Sequence, residues 1–335
     1  MKNLSIIIPT YMTPPKILER AIKSALEQTL EGVEILVYDD NDAPSEITCV
    51  RNLVEKLHAD NSLHHAPSLF YIDGDGHNGP SDARKFAVEE SAGEYVTFLD
   101  ADDTFYESDS CQIMFEKIRS MPSKLPDIVQ GKIVVEDKNP ATLAAFPEAY
   151  DYIEKSCRES LSFDSGDELI SAYLAEKKHS LCLEGKLFRS KPLLSALGKM
   201  PRAECFVGEN YMWLYFILRE CRSFTEISIP VCRCHTENGF TFSSEEIENL
   251  EEWKKICSSS SVFTAVFADI KNRPLASGGE AVSACYSDLM IRFAASNLRQ
   301  QMRLPDSLRE KAARMLVDSW GADLIARMVG KEKET

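Results

Sequence analysis

The chain has 335 residues, 44% of them hydrophobic and 27% charged, proportions typical of a globular protein with one large domain and an extension, or with two domains. Its net charge of −15 argues against nucleic-acid binding, which usually needs a basic surface, and against binding to anionic lipid through overall charge. No apolar run reaches the roughly 18 residues of a membrane span. No secretory signal precedes the first strand, and the ten cysteines contain no C-x-x-C pair, so a cytoplasmic protein with free thiols is expected.

The first hundred residues alternate between strand and helix patterns. Apolar, β-branched runs predict buried strands at residues 4–8, 33–38, 69–72 and 95–99. Amphipathic segments between them predict a helix after Thr13 as its N-cap, a second helix at 47–57 and a third at about 82–91. This alternation indicates an α/β architecture with a mainly parallel, Rossmann-like sheet flanked by helices.

Polar residues follow each of these predicted strands. In open parallel sheets, ligands bind at the carboxyl ends of the strands. Four strands therefore deliver polar side chains to one edge of the sheet: Thr10 and Tyr11, Asp39 and Asp40, Asp73 and Asp75, and Asp100 and Asp102. This convergence predicts a ligand site at that edge.

The strand at 95–99 is followed by three carboxylates, Asp100, Asp102 and Asp103. In an extended chain, Asp100 and Asp102 would point to the same side, about 6.6 Å apart. Two carboxylates placed together repel each other unless a cation lies nearby, and oxygen ligands suit Mg²⁺ or Mn²⁺. The alternative is an acidic loop that caps a helix at Asp103 or Ser108.

The second half of the chain is less regular. It predicts a strand at 128–135, a helix that is capped by the polar stretch 164–167 and runs through residue 174, and an apolar helix at 212–218. Beyond residue 243, helices are expected at 245–256, 281–298 and 305–329. The last of them has an apolar stripe, which serves either to pack this extension on the rest of the chain or to form a dimerisation or membrane-complex surface.

Several segments, in order, resemble a family 2 glycosyltransferase of the GT-A fold. They include Ser5-Ile-Ile-Ile-Pro-Thr-Tyr11, Val37-Tyr-Asp-Asp40, Asn78-Gly-Pro-Ser-Asp-Ala-Arg84, Gly93 to Asp103, Gly185-Lys-Leu-Phe-Arg189, Gly208-Glu209-Asn210 and Cys232-Arg-Cys-His235. The resemblance covers roughly residues 4–242. It implies a GT-A catalytic domain at 1–243 and a helical extension at 244–335.

The resemblance also implies roles for individual residues. Asp102 and His235 would serve a divalent ion, Mn²⁺ or Mg²⁺. The nucleotide would be bound by Pro9, Thr10, Tyr11, Asp40, Arg84, Asp100 and Ala101. Without the resemblance, Asp40 reads as a turn residue, Arg84 as a surface helix residue and His235 as a satisfied loop histidine.

The position of the catalytic base departs from the family pattern, which typically has Glu-Asp with the aspartate as base. Here the pair is Glu209-Asn210, and an amide cannot act as a general base at neutral pH. Glu209 is therefore the expected catalytic base, with Glu204 as another candidate. Alternatively, Glu209 is only a helix-start acid stabilised by the helix dipole, or the protein is inactive.

The expected function is an inverting, metal-dependent transfer of a sugar from a UDP-sugar to a hydroxyl of a saccharide or lipid-linked saccharide. The resemblance suggests bacterial surface-polysaccharide assembly, in the cytoplasm or at the inner face of the membrane, and a homodimer through the C-terminal helices. A catalytically inactive GT-A domain that binds nucleotide-sugar or scaffolds a complex is the alternative. A nucleotidyltransferase is disfavoured, because residues 9–12 lack a basic, glycine-rich loop for a triphosphate.

Overall fold

A mixed β-sheet forms the centre of the molecule. The computed structural model describes residues 2–60, 67–74, 76, 78–136, 153, 155, 159–175, 179–235 and 246–332. Within them the strands are β1 (Lys2–Thr10), β2 (Val33–Asp39), β3 (Ser68–Asp73), β4 (Gly93–Phe98), β5 (Thr104–Phe105), β6 (Ile128–Glu136), β7 (Ser160–Ser162), β8 (Lys186–Arg189) and β9 (Ser223–His235). Their order is β3-β2-β1-β4-β8-β6-β9-β5, with β7 beside β9.

The first four strands form the parallel half of this sheet. Strand β1 lies between β2 and β4, so Ile6 is level with both Ile35 and Thr97. Beyond β4 the direction changes, because β8 runs antiparallel to both β4 and β6. The predicted mainly parallel α/β sheet is confirmed, and its parallel strands end together at one edge.

Helices cover both faces of the sheet. They are α1 (Pro15–Leu26), α2 (Pro44–Ala59), α3 (Pro80–Glu89), α4 (Ser110–Arg119), α5 (Gly166–Leu174), α6 (Ser190–Leu197), α7 (Glu209–Glu220), α8 (Leu250–Cys257), α9 (Ser260–Asn272), α10 (Gly279–Gln300), α11 (Asp306–Trp320) and α12 (Ala322–Glu332). A short 3₁₀ turn, Gln301–Arg303, follows α10.

Two hydrophobic clusters lie on opposite faces of the sheet. Successive side chains of a strand alternate between faces, and accordingly Ile7 belongs to the larger cluster while Ile6 and Ile8 belong to the smaller one. Helix α7, with Trp213 fully buried, lies in the larger cluster, as do the C-terminal helices. The larger core therefore runs continuously from the sheet into the C-terminal part of the chain.

Several helix ends differ from the sequence predictions. The N-cap position of α1 is occupied by Pro14 rather than Thr13, because Pro14 precedes Pro15 and is thereby held in an extended conformation. The single helix expected at 305–329 is two helices, since Gly321 adopts a positive φ of 85° between α11 and α12. The predicted cap of α5 is confirmed: Ser165 and Glu168 form a capping box. Strand β9 and helices α6 and α9 were not predicted.

The apolar stripe of the last two helices packs inside the molecule. Each of its residues belongs to the larger core or packs against it: Leu308, Ala312, Met315, Leu316, Leu324, Ile325 and Met328. Dimerisation through these helices stays a prediction, and the predicted boundary at residue 243 falls outside the described residues. None of the described helices combines the length and the apolar character that crossing a bilayer requires.

Candidate active site

A cleft of about 920 Å³ opens at the carboxyl ends of β1, β2 and β4. Its size is in the range of small-molecule sites. Eight of the nine residues expected to bind nucleotide or metal line it: Pro9, Thr10, Tyr11, Asp40, Arg84, Asp100, Ala101 and Asp102. Glu209 lines it too. His235 is not among the lining residues, so its position is described separately below.

The end of β1 forms one wall of the cleft. After Tyr11 the chain turns sharply, and Met12 takes a positive φ of 53°, which is unusual for a residue other than glycine. The backbone N–H of Met12 donates a hydrogen bond of 2.8 Å to the side-chain oxygen of Asn41, which ties this turn to the end of β2. The turn presents the Tyr11 ring to the cleft, where the Nζ of Lys255 lies 5.4 Å from the ring centroid.

Asp40 holds a loop against the end of β2. Its carboxylate accepts hydrogen bonds from the backbone N–H groups of Asn78, at 2.9 Å, and of Gly79, at 2.8 Å. Asp40 is only 2% exposed, so it is not an exposed turn residue. Its neighbour Asp39 faces away and accepts a hydrogen bond from the Tyr71 hydroxyl, as the alternation of strand side chains requires.

The third strand contributes less than the sequence suggested. Asp73, at the end of β3, pairs with Arg51 at 2.5 Å and is not among the residues that line the cleft. Asp75 lies outside the described residues. Among the described residues, the polar edge is therefore built by three of the four parallel strands.

The acidic segment after β4 is a turn, not an extension of the strand. The backbone N–H of Asp103 donates a hydrogen bond of 3.0 Å to the carbonyl oxygen of Asp100, and this turn brings the carboxylates of Asp100, Asp102 and Asp103 within 4.8 Å of one another. The extended spacing expected for Asp100 and Asp102 is thus replaced by a tighter cluster. The following helix begins at Ser110 with Asp109 as N-cap, so the acidic turn does not cap it.

Burial and mutual repulsion shift the titration of this cluster. Burial, together with the nearby Asp100 carboxylate, raises the pKa of Asp102 to about 6. Burial and the two neighbouring carboxylates raise the pKa of Asp103 well above its usual range. A divalent cation would relieve this repulsion, and three carboxylates form a donor set that suits Mg²⁺ or Mn²⁺. The residues present therefore fit the metal that the sequence implied.

His235 lies at the end of β9, next to the acidic turn. Its backbone N–H donates a hydrogen bond of 2.9 Å to the carboxylate of Asp103, and its ring Nε2 lies 3.2 Å from the hydroxyl of Thr104. It is not one of the three residues whose ligand atoms cluster within 4.8 Å. The histidine is thus attached to the acidic turn while its ring is engaged by a neighbouring hydroxyl.

Arg84 is the central cation of the cleft. Its guanidinium is 2% exposed and donates hydrogen bonds to Glu209, at 2.7 Å, and to Asp100, at 2.6 Å. The carboxylate of Glu184 lies 3.8 Å away. Burial alone would lower the pKa of Arg84, but the surrounding carboxylates raise it, so the arginine stays charged. Arg84 is therefore a buried site residue, not a surface residue of a helix.

Glu209 is the first residue of α7, which follows Gly208. Gly208 has a positive φ of 81°, which glycine adopts without strain and which turns the chain into the helix. Glu209 is only 7% exposed, and burial raises its pKa although Arg84 opposes the shift. It is thus both a helix-start acid and a buried partner of Arg84. Glu204, the other candidate base, pairs instead with Lys254, and its side chain is 61% exposed.

The lining residues that sequence reasoning missed include an acid, an aromatic residue and three basic residues: Glu184, Phe206, Lys255, Arg292 and Arg299. Glu184 directly precedes the Gly185–Arg189 segment, and that proximity was a usable signal. Burial, followed by the charge of Asp100, raises its pKa to about 8. The three basic residues come from helices that are distant in sequence, where nothing pointed to the site.

Four buried polar atoms that belong to residues of this cleft make no hydrogen bond within the described part of the protein. They are Thr10 Oγ1, Arg84 Nε, Glu184 Oε1 and Asn210 Oδ1. A buried polar atom without a hydrogen bond costs about 1–3 kcal/mol. Four of them in one cleft indicate that it is built for a polar ligand with several hydrogen-bonding groups.

The sheet order, and the acidic turn and polar cleft at the ends of its parallel strands, match the GT-A fold. Residues 5–164, just under half of the chain, match the model of glycosyl transferase family 2. This match confirms the resemblance to family 2 glycosyltransferases that the sequence showed.

Comparisons with individual proteins agree with this. Over 103 residues, 31% of this chain and 30% of the relative, the sequence is 33% identical to the GalNAc(5)-diNAcBac-PP-undecaprenol beta-1,3-glucosyltransferase of Campylobacter jejuni. This chain thus aligns with about a third of that relative's length.

Two solved structures share the fold. Residues 1–349 of TarS from S. aureus, in complex with UDP-GlcNAc, superpose with a TM-score of 0.53 at 14% identity, covering 98% of this chain and 92% of that one. The mannosyltransferase PcManGT from Pyrobaculum calidifontis, in complex with GDP-Man and Mn²⁺, gives 0.54 at 15% identity, covering 99% and 79%. At these identities the likeness establishes the fold alone, and it extends over the C-terminal helices.

Proposed function

We propose that the protein is an inverting, metal-dependent glycosyltransferase that moves a sugar from a UDP-sugar to a hydroxyl of a saccharide or lipid-linked saccharide. One observation carries the proposal: Arg84 joins the acidic turn to Glu209 inside a single cleft, through hydrogen bonds of 2.6 and 2.7 Å. A candidate metal site and a candidate base thereby face the same reaction space.

We choose a UDP-sugar as the donor because of Tyr11 and Asp40, which we assign to the nucleotide. Tyr11 offers an aromatic face, and Asp40 offers carboxylate oxygens beside it. Carboxylate oxygens accept hydrogen bonds, and we assign the Asp40 carboxylate, which also binds the backbone of Asn78 and Gly79, to the N–H of a uracil. The UDP-GlcNAc complex of the S. aureus neighbour is consistent with this choice.

The acidic turn and Arg84 have different roles in the proposed reaction. Asp100, Asp102 and Asp103 would hold the divalent ion. The backbone N–H of His235 donates a hydrogen bond to the carboxylate of Asp103. When bound, such an ion supplies Lewis-acid stabilisation of the nucleoside diphosphate leaving group. Arg84 orients Glu209 and Asp100, and its Nε–H makes no hydrogen bond to the described residues.

Glu209 then takes the proton from the attacking hydroxyl. Burial raises its pKa and so makes it a stronger base than an exposed glutamate, within the limit set by its pairing with Arg84. The hydroxyl attacks the anomeric carbon in one displacement, the bond to the diphosphate breaks, and the configuration inverts. The transferred proton ends on the Glu209 carboxylate.

A second function, a nucleotide-sugar-binding domain without transfer activity, is favoured by one observation. Asn210 stands where the family typically has its catalytic aspartate, and its amide oxygen is buried in the cleft without a hydrogen bond to any described residue. Asn210 can bind an acceptor hydroxyl but cannot take its proton. Glu209 distinguishes the two functions, because only the transferase needs it as a base.

A thermal shift experiment tests the nucleotide and metal assignments together. UDP at about 100 times its dissociation constant should stabilise the protein by about 2.7 kcal/mol when Mn²⁺ is present, and much less with EDTA. The Asp102→Asn variant should lose the Mn²⁺-dependent part. Equal stabilisation by UDP with and without Mn²⁺ would refute the metal site, and stabilisation by GDP but not UDP would refute the choice of donor.

A further inference from the structure

Lys255, on α8, lies close to two aromatic rings in the cleft. Its Nζ is 5.4 Å from the centroid of the Tyr11 ring and 5.4 Å from that of the Phe206 ring, and all three residues line the cleft. Ammonium groups are attracted to the faces of aromatic rings, so these two contacts hold the amino group in place. Phe206 and Lys255 both lie outside residues 5–164, the part of the chain that matches the family model.

Phe206 places this arrangement beside Asp40. A Cβ atom on Gly79 would lie 3.1 Å from the Phe206 ring, and the backbone N–H of Gly79 donates a hydrogen bond of 2.8 Å to the Asp40 carboxylate. Tyr11 and Asp40 are the residues that we assign to the base of the nucleotide. Lys255 therefore lies at the same end of the cleft as the proposed base site.

The backbone on both sides of Lys255 is fixed by packing. Trp253, two residues earlier on α8, is buried, and its indole N–H donates a hydrogen bond of 3.0 Å to the carbonyl oxygen of Ala312. The hydroxyl of Ser258, which follows α8, accepts a hydrogen bond of 2.9 Å from the backbone N–H of Phe206. The C-terminal helices and the loop that carries Phe206 thus set the position of Lys255 together.

The Lys255 amino group forms neither an ion pair nor a hydrogen bond with any described residue. Its neighbour Lys254 differs, because it pairs with Glu204 at 3.0 Å and does not line the cleft. An ammonium carries three hydrogen-bond donors, and those of Lys255 are directed to no acceptor in the described part of the protein. A ligand with a carbonyl oxygen at this end of the cleft would supply one.

We propose that Lys255 is a base-binding residue, whose ammonium donates a hydrogen bond to a carbonyl oxygen of the uracil. This inference rests on the proposed UDP-sugar transferase and deepens it, because it assigns part of donor recognition to the C-terminal helices. On a uracil ring the N–H that we assign to Asp40 is flanked by carbonyl oxygens. A carboxylate and an ammonium at one end of the cleft complement that pattern of donor and acceptor.

Calorimetry in the presence of Mn²⁺ tests the inference with the Lys255→Met variant. Methionine retains an unbranched side chain that can pack against the rings, but it has neither the charge nor the N–H donors. Loss of a hydrogen bond from a charged group should weaken UDP binding by about 10- to 100-fold. Inorganic pyrophosphate has no base and should bind the variant and the unmodified protein alike. Lys255→Arg, which keeps a cationic donor, should recover most of the UDP affinity.

Lys254→Met is the matched control. It removes the same charge one position earlier, from a side chain that pairs with the exposed Glu204 outside the cleft. UDP should bind this variant as it binds the unmodified protein. Melting temperatures without ligand show whether each variant is intact. Lys255→Gln, which keeps a polar side chain without the charge, is the second variant, and it should also weaken UDP binding while leaving pyrophosphate binding unchanged.

Three results would overturn the inference. The first is undiminished UDP affinity in Lys255→Met and Lys255→Gln. The second is an equal loss of pyrophosphate affinity, which would assign Lys255 to the phosphates of the donor. The third is an equal loss of UDP affinity in Lys254→Met, which would indicate a general effect of charge. Failure of UDP to bind the unmodified protein would instead refute the proposed function itself.

Discussion

Replacing Glu209 by glutamine removes the candidate base with little change in shape. The glutamine oxygen can still accept the hydrogen bond that Arg84 now donates at 2.7 Å. The donor stays charged but the acceptor becomes neutral, and this loss of the ion pair costs roughly 1–1.5 kcal/mol. The nearby Asp100 carboxylate repels Glu209, and relief of that repulsion offsets part of the cost. The variant should therefore remain folded.

Transfer activity should respond far more strongly than stability. General-base catalysis typically contributes about 10²–10⁴-fold, which corresponds to about 2.7–5.5 kcal/mol in the activation barrier. We expect Glu209→Gln to lower the rate of sugar transfer by such a factor while UDP affinity changes little. The measurement is transfer to an acceptor, because hydrolysis of the donor by water does not require the same base.

Two variants serve as controls for this experiment. Glu204→Gln removes an exposed carboxylate that pairs with Lys254, so it should leave transfer unchanged. Asn210→Asp restores the acid that the family typically has, and it should maintain or raise the rate. Undiminished transfer by Glu209→Gln would remove Glu209 from the mechanism, and a large loss in Glu204→Gln would assign the base to that residue instead.

Two further predictions concern nucleotide and metal. Asp40→Ala should lower both UDP affinity and the melting temperature, because the backbone N–H groups of Asn78 and Gly79 lose their acceptor. Asp73→Ala, at the end of a neighbouring strand, should leave UDP affinity unchanged, and equal effects of the two variants would contradict the uracil assignment. Mn²⁺ affinity should fall as the pH drops below about 6, because protonation of Asp102, whose pKa burial raises to about 6, competes with metal binding. Calorimetric titrations on either side of that pH measure this, and a constant affinity would show that Asp102 is not a ligand.

The sequence by itself determined the parallel half of the fold. Its β-branched runs and amphipathic segments are local patterns, and the polar residues after each strand are fixed by where the runs end. It therefore predicted that Thr10, Asp40 and Asp100 would meet at one edge, and they line one cleft. It could not determine how each side chain is used there, since Asp40, whose alternative reading was a turn residue, is buried against a loop.

Tertiary structure decided which distant residues complete the cleft. The partners of Arg84 are Asp100 and Glu209, which lie 16 and 125 residues away along the chain. Arg292 and Arg299 belong to a helix whose apolar pattern indicates only that it packs on something. No local pattern records which helix packs on the start of α7, because that choice depends on the complementary shapes of residues such as Gly208 and Phe293. Local sequence patterns therefore predict the acidic residues of the cleft, whereas its basic residues Lys255, Arg292 and Arg299 are brought there only by folding.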